Sequence, residues 1–225
     1  MEFKNRYKRN LIFTASEQAS LKDKCVAILG LGGLGGYVLE ELVRLGVGKI
    51  VACDFDMFAE TNLNRQLLST EQNLGKMKAE EAAKRASLIN SEVQIDKWTE
   101  KGNIEALKAK LGACDAVVDC LDTARDRFSL ENICNELNLP LIHGAIDGWF
   151  GQVTTIMPGD NTLEKIYKDK KEPTQDSGNV AFTAATIASI EVSEMVKVLL
   201  NKDDLLRNKL LLVNLLDNDF SVVSL

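Results

Sequence analysis

Gly30, Gly32 and Gly35 form the spacing G-x-G-x-x-G, directly after the apolar run CVAIL and just ahead of a helical pattern. Glycines at these positions allow a tight turn, close backbone approach to a phosphate, and close helix–strand packing. The helix that follows contributes free N–H groups and a positive dipole end. Asp54 comes 19 residues after Gly35, at the end of the next apolar run, where a carboxylate suits a ribose hydroxyl. The chemistry implied is binding of a nucleotide through phosphate and ribose, with the base left open. Three features argue against a nicotinamide dinucleotide. The loop carries two extra glycines, Gly33 and Gly36; the polar stretch DMFAETNLNRQLL stands where a second amphipathic helix is usual; and His143 is the sole histidine, so no proton relay is apparent.

The elements that must hold these residues alternate regularly. CVAIL leads to a helix from about Leu34, and KIVAC to a helical stretch ending near Asn90. VQIDKW precedes a helix around 104–111, AVVDC precedes one over 124–137, and PLIHG follows. This βαβα rhythm predicts an α/β fold: a doubly wound, mostly parallel, Rossmann-like sheet with helices on both faces. From Gly151 the rhythm changes. QVTTIMP reads as a strand ending in a proline turn, and GDNTLEKIYKDKKEPTQDSGN reads as a polar loop bounded by Pro158 and Val180. VAFTAATIASIEVSEMVKVLL reads as a buried helix, because Glu191, Glu194 and Lys197 do not suit a membrane span. KLLLVN and DFSVVSL read as closing strands, antiparallel and edge-lying. With no interdomain linker in view, residues 1–225 are expected to form one domain: a helical arm (1–24), a nucleotide-binding core (25–157), a crossover loop (158–179), and a C-terminal helix and strands (180–225).

Composition narrows the class. The apolar fraction of 45% and charged fraction of 27% suit a globular core, while the net charge of −6 lacks a nucleic-acid footprint. The N-terminus has no apolar run of a secretory signal. Five cysteines, with no C-x-x-C pair, argue against structural zinc; Cys25, Cys53, Cys114 and Cys120 lie in or beside apolar runs, as small hydrophobes do. A reduced, cytoplasmic protein is the simplest account.

The run DFDMFAETNLNRQ, from Asp54 to Gln66, resembles the D-x-D-x-V-x-x-S-N-L-x-R-Q signature of the ThiF/MoeB/HesA family. Members of that family are relatives of the ubiquitin-activating enzymes, and they adenylate the C-terminal glycine of small ubiquitin-like sulfur carriers. Further motifs agree in order along nearly the whole chain. RYKRN resembles R-Y-x-R-Q/N, GLGGLGG the ATP loop, and NLGKMKAEEAAKRASLIN the G-x-x-K-A helix; VVDCLDTARDRF resembles D-C-x-D-x-x-x-x-R, and GQVTTIMPG the G-Q-[VI]-T strand. The resemblance implies that Gly32 and Gly33 lie against the triphosphate of ATP and that Asp54 holds the ribose. It puts Asn62, Arg65, Gln66 and Lys78 around the phosphates. Asp122 matches the family's Mg²⁺-binding acid, while Asp56, Leu121 and Arg127 complete the nucleotide site. Arg9 matches an arginine that reaches into the partner subunit's ATP site, which implies a homodimer. The implied partner is a carrier ending in Gly-Gly, with Arg9, Arg65, Lys78 and Asp122 serving catalysis.

The residue types suit this reaction. Adenylation is attack of a carboxylate on the α-phosphate with pyrophosphate leaving, and a carboxylate is already ionised at neutral pH, so no general base is required. Cations to neutralise the leaving group and an in-line geometry suffice. Arg65 and Lys78, taken alone, would be ordinary solvated charges; the ordered motifs around them change that reading. Asp119 is open to two readings, helix capping or magnesium support, and Asp56 is similar. His143 reads as a satisfied structural histidine. The chain departs from many relatives in lacking both zinc C-x-x-C pairs and the crossover-loop cysteine, whose slot Gln175 takes; a covalent carrier link there is excluded for want of a thiol. Alternatives are another acceptor (a peptide or a tRNA base, the latter disfavoured by low basicity), a non-catalytic nucleotide-binding partner in a sulfur-transfer complex, and a nicotinamide oxidoreductase.

Overall fold

The computed structural model describes residues 5–168 and 178–225. The apolar runs become β1 (Cys25–Leu29), β2 (Lys49–Cys53), β3 (Gln94–Trp98), β4 (Ala116–Asp119) and β5 (Leu141–Asp147). After them come β6 (Phe150–Ile156), β7 (Lys209–Asn214) and β8 (Asp219–Ser224). All eight join one sheet in the order β3-β2-β1-β4-β5-β6-β7-β8. The first five pair in parallel, and β6, β7 and β8 add on antiparallel. Only β8 is an edge at that end, so the expectation that both closing strands lie at the edge holds for β8 alone. β1 has β2 on one side and β4 on the other; the chain reverses its winding there, which opens a crevice at the carboxyl ends of β1 and β4.

The period of two along the strands sorts side chains between two cores. Val26, Ile28, Ile50, Val118 and Ile142 face one side, with α2 (Gly33–Leu45), α3 (Lys78–Ile89) and α7 (Ala181–Leu199). Ala27, Leu29, Val51, Val117 and Leu141 face the other, with α4 (Ile104–Leu111), α5 (Ala124–Leu137) and α6 (Thr162–Tyr167). The sheet is therefore doubly wound. A short α1 (Ala15–Leu21) precedes β1; Thr14 accepts from the Glu17 N–H, and the Glu17 carboxylate accepts from the Thr14 N–H, a capping box. The cysteines are free, and all but half-buried Cys120 are buried.

The helix α6 falls inside the stretch that the sequence suggested was loop. Leu163, Ile166 and Tyr167 stand at i, i+3 and i+4, which places them on one face. Leu163 and Ile166 are buried there, and the Glu131 carboxylate accepts from the Leu163 N–H at 3.1 Å. Charged neighbours hid this three-residue stripe. Gln175 and the rest of 169–177 lie outside the described residues.

α7 packs so closely on β5 that a Cβ on Gly144 would lie 2.4 Å from Cδ of Glu191. Glu191 is fully buried, and neither carboxylate oxygen has a hydrogen-bond partner. Burial first, then the nearby Asp119 charge, push its pKa well above the ordinary 4.5; Arg127 pulls the other way. A carboxyl with a raised folded-state pKa destabilises the fold as pH climbs above its unfolded value, because the unfolded chain gives up the proton first. Glu191→Gln removes this loss. The stability gap between the variant and the parent is expected to widen by up to about 1.4 kcal/mol per pH unit above pH 4.5, until the folded-state pKa is passed. Urea unfolding at pH 5 and pH 7 checks this; a gap that does not change with pH overturns it.

Candidate active site at the crevice of the sheet

The glycine turn sits where β1 hands over to α2. Gly30 has φ of +93°, and its N–H donates to Cys53 O at 2.8 Å, which ties the turn to β2. A Cβ on Gly35 would lie 1.8 Å from Gly30 O, and one on Gly30 would lie 2.6 Å from Cys120 O. No side chain fits at either position. Gly32 caps α2 without any side chain of its own, and Gly33 opens the helix, so no N-cap side chain occupies the first N–H groups of α2.

Asp54 follows β2 and binds the turn from the side. Its Oδ2 accepts from the Leu31 N–H at 2.7 Å and its Oδ1 from the Asp56 N–H at 2.8 Å. Burial pushes its pKa up, while these two donors and Lys78 hold it down. Lys78, itself buried, places Nζ 3.8 Å from Asp54 Oδ2 and 3.3 Å from Asp56 Oδ2. An ammonium at the first residue of α3 opposes the helix dipole. Two carboxylates offset this, and a bridge between Met57 and Met77 brings the two segments together.

The polar stretch after Asp56 folds over α2 as a strap. Asn62 Oδ1 accepts from the Ala59 N–H at 3.0 Å and closes a short 3-10 turn over 60–62. Arg65 follows; its Cγ lies 4.0 Å from where a Cβ on Gly33 would stand. Its Nη1 donates to two neutral oxygens, Thr61 O and Asn64 Oδ1, both at 2.9 Å, which leaves its charge uncompensated by either. Gln66 is buried with its Nε2 3.6 Å from the Cβ position of Gly32, and its Oε1 has no hydrogen-bond partner. The N–H groups of the glycine cradle, the Gln66 Nε2 amide, Arg65 and Lys78 form a donor set that fits a nucleotide's phosphates, while the orphaned Gln66 Oε1 can only accept.

The turn after β4 closes the other wall. Asp122 is exposed at its tip, and Leu121 beneath it is half-buried. The Leu121 N–H donates to Asp119 Oδ1 at 3.0 Å, and Leu121 O accepts from Arg127 Nη2 at 2.8 Å and Nε at 3.1 Å. Arg127 is thus bound to the turn rather than open to the crevice. Asp119 does not cap α5, a role taken by Thr123, whose hydroxyl accepts from the Asp126 N–H. Its Oδ2 lies 2.8 Å from His143 Nδ1, and both residues are fully buried, in keeping with the structural reading of His143.

Within one chain, Gly32, Gly33, Asp54, Asp56, Asn62, Arg65, Gln66, Lys78, Leu121 and Asp122 converge on this crevice, and Arg9 does not. Asn90 Nδ2 donates to the neighbouring Tyr7 OH at 3.0 Å, and that hydroxyl packs on Gly46. Gly46 ends α2, which has 13 residues and is therefore ~20 Å long, so Arg9 is anchored at the far end of that helix. Sequence reasoning missed Asn64, whose Nδ2 donates to Asn179 O at 2.9 Å, and Tyr167. The stripe Leu163, Ile166, Tyr167 was the signal available for Tyr167; nothing local marked Asn64.

The two kinds of glycine are expected to separate on mutation. Gly35→Ala forces Cβ into Gly30 O and should unfold the chain or lower Tm sharply. Gly33→Ala meets only ordinary contacts, the nearest at 3.8 Å, and should keep Tm within a few degrees while weakening ATP binding at least tenfold. Thermal melts and equilibrium ATP titration check the pair; unchanged ATP affinity in Gly33→Ala would remove the cradle from the site.

Comparison with known proteins places this arrangement. Residues 7–225 match the ThiF family. The SAMP-activating enzyme E1 of Haloferax volcanii is 29% identical, across 97% of this chain and 84% of its own length. The molybdopterin-synthase adenylyltransferase of Haemophilus influenzae is 31% identical, across 93% and 89%. The ThiS adenylyltransferase of Escherichia coli is 29% identical, across 86% and 80%. Among solved structures, PaaA superposes with a TM-score of 0.81 at 21% identity, covering all of this chain and 74% of PaaA. MccB of E. coli, crystallised with ATP, superposes with a TM-score of 0.79 at 24% identity, covering 98% of this chain and 71% of MccB. At those identities the two structures speak to the fold. A match over almost the full length, with the N-L-x-R-Q strap folded against the glycine turn, assigns the sequence: the chain belongs to the ThiF family.

Proposed function

We propose that this protein is an ATP-dependent adenylyltransferase that joins AMP to the C-terminal glycine carboxylate of a small ubiquitin-like sulfur carrier and releases pyrophosphate. The single observation that carries the reading is the strap. Arg65 and the Gln66 amide lie against Gly33 and Gly32, at the N-terminus of α2, with Lys78 nearby beside Asp54. The relatives' names support the acceptor class, since they act as adenylyltransferases or as an activating E1, for ThiS, molybdopterin synthase and SAMP.

The chemistry follows from charge. ATP seats its phosphates on the first N–H groups of α2, and Asp54 keeps lone pairs free for a ribose hydroxyl while holding Leu31 and Asp56. Arg65 and Lys78 neutralise the leaving pyrophosphate, arginine as a planar fork and lysine as a point charge. The carrier's carboxylate is its own nucleophile, so the site needs orientation and counter-charge rather than a base. Asp122, exposed at the tip of its turn, is the residue that would hold Mg²⁺, with Asp56 the next acid at the crevice; the ion would supply further charge on the phosphate oxygens. Arg9, carried at the far end of α2, suits a role in the site of a second copy, and a homodimer is part of this reading. One adenylation domain spans residues 1–225, with arm 1–24, core 25–157, crossover 158–179 and C-terminal unit 180–225; α6 belongs to the crossover. No helix among the described residues is long and apolar enough to cross a membrane.

ATP–pyrophosphate exchange tests the reading. Exchange should appear only with a carrier ending in Gly-Gly, and Arg65→Ala or Asp122→Ala should lower it by about 10²–10³-fold with Tm nearly unchanged. Exchange at the parental rate in either variant overturns the assignment of that residue. No exchange with any Gly-Gly carrier overturns the function.

A further inference from the structure

Beneath the Asp122 turn lies a closed ring of hydrogen bonds that the adenylation chemistry does not use directly. Asp119 Oδ1 accepts from the Leu121 N–H, and Leu121 O accepts from Arg127. Arg127 Nη1 donates to the Tyr167 hydroxyl at 3.2 Å; that hydroxyl lies 2.9 Å from His143 Nε2, and His143 Nδ1 returns to Asp119 Oδ2 at 2.8 Å. Gln152 Nε2 also donates to the hydroxyl, at 2.7 Å. The ring draws on β4, α5, α6 and β5, four elements far apart in sequence.

One assignment satisfies all of these contacts. Arg127 and Gln152 donate to Tyr167 through these atoms, which fits a hydroxyl proton directed at His143 Nε2. In that assignment His143 donates from Nδ1–H to Asp119, whose two oxygens accept from His143 and Leu121. Reversing any member breaks a neighbour's bond. A buried polar ring is a poor source of net stability, because apolar residues of similar shape often stabilise as well or better. What a satisfied ring does is select one geometry. Here the object held is the Leu121 peptide, gripped at both its N–H and its C=O, one residue before Asp122.

We propose that Tyr167 and His143 are positioning residues for the nucleotide site: the ring they close fixes the Leu121 peptide, and through it the stance of Asp122 toward bound ATP. The proposal deepens the adenylation reading and rests on it only for the turnover measurement. α6 thereby belongs to the active-site architecture, although it contributes no residue to the crevice itself.

The test uses the full chain with Tyr167→Phe, which removes the hydroxyl and keeps the edge-to-face ring contacts with Phe128 and His143, together with His143→Gln. Each variant is expected to raise the Kd for ATP, measured by equilibrium titration with Mg²⁺ present, by about tenfold. The double variant should be no worse than the poorer single one, because members of one ring are not additive. In carrier-dependent exchange, kcat should fall while the KM for the carrier stays constant. A lower Tm with ATP Kd within twofold of the parent in both variants would make the ring purely structural and overturn the proposal. Additive losses in the double variant would do the same. His143→Gln carries the expectation alone if Tyr167→Phe does not fold. A parent chain that binds ATP but exchanges with no carrier sinks the adenylation reading and leaves the binding arm able to judge the ring.

Discussion

The carboxylate of Asp54 is the constraint on which the site depends. One oxygen holds the Leu31 N–H inside the glycine turn, and the other holds the Asp56 N–H at the start of the strap. Lys78 comes to the same group from the head of α3. Three segments of the proposed nucleotide site are therefore indexed to one side chain at the end of β2. Burial makes the charged form of that carboxylate costly and leaves its pKa raised, an effect that the two backbone donors and Lys78 only partly offset. Its orientation is settled by two backbone bonds, as the ribose role proposed for it requires.

Much of the fold was legible in the sequence for a simple reason. β1, β2 and β4 lie inside the sheet with both faces covered, so CVAIL, KIVAC and AVVD read as continuous apolar runs. The glycine spacing announced the turn because close approach forbids any side chain at Gly35. α6 escaped notice because its apolar stripe is three residues long, set among lysines and acids. The strap illustrates a different limit. Its residues matched a family pattern, yet nothing local says that Arg65 would fold back against Gly33, a contact made across 32 residues of chain. Asp119 was harder still: a strand-end acid has many uses, and only the fold brings His143 opposite it in the β4–β5 register.

Two buried acids on opposite faces of the sheet manage their charge differently. On the face of α5 and α6, Asp119 and His143 are both fully enclosed, yet each is completed by partners. On the face of α7, Glu191 is equally enclosed and has none. Burial favours the uncharged acid there, which is the way a carboxyl survives in a core without a counter-ion. The partnered pair lies beneath the Asp122 turn. Glu191 packs α7 against β5 over Gly144, while Glu194 on the same helix is held by the Thr155 hydroxyl and the Leu206 N–H.

This difference bears on how a site with no catalytic base can still be exacting. When the nucleophile arrives already ionised, rate depends on where the phosphates and their counter-charges stand rather than on proton transfer. Residues that fix backbone then matter as much as residues that carry charge. Asp54 fixes the glycine turn and the strap, and the ring through His143 and Tyr167 fixes the turn before Asp122. The lone histidine, which in a dehydrogenase would invite a reading as proton shuttle, is spent here on geometry.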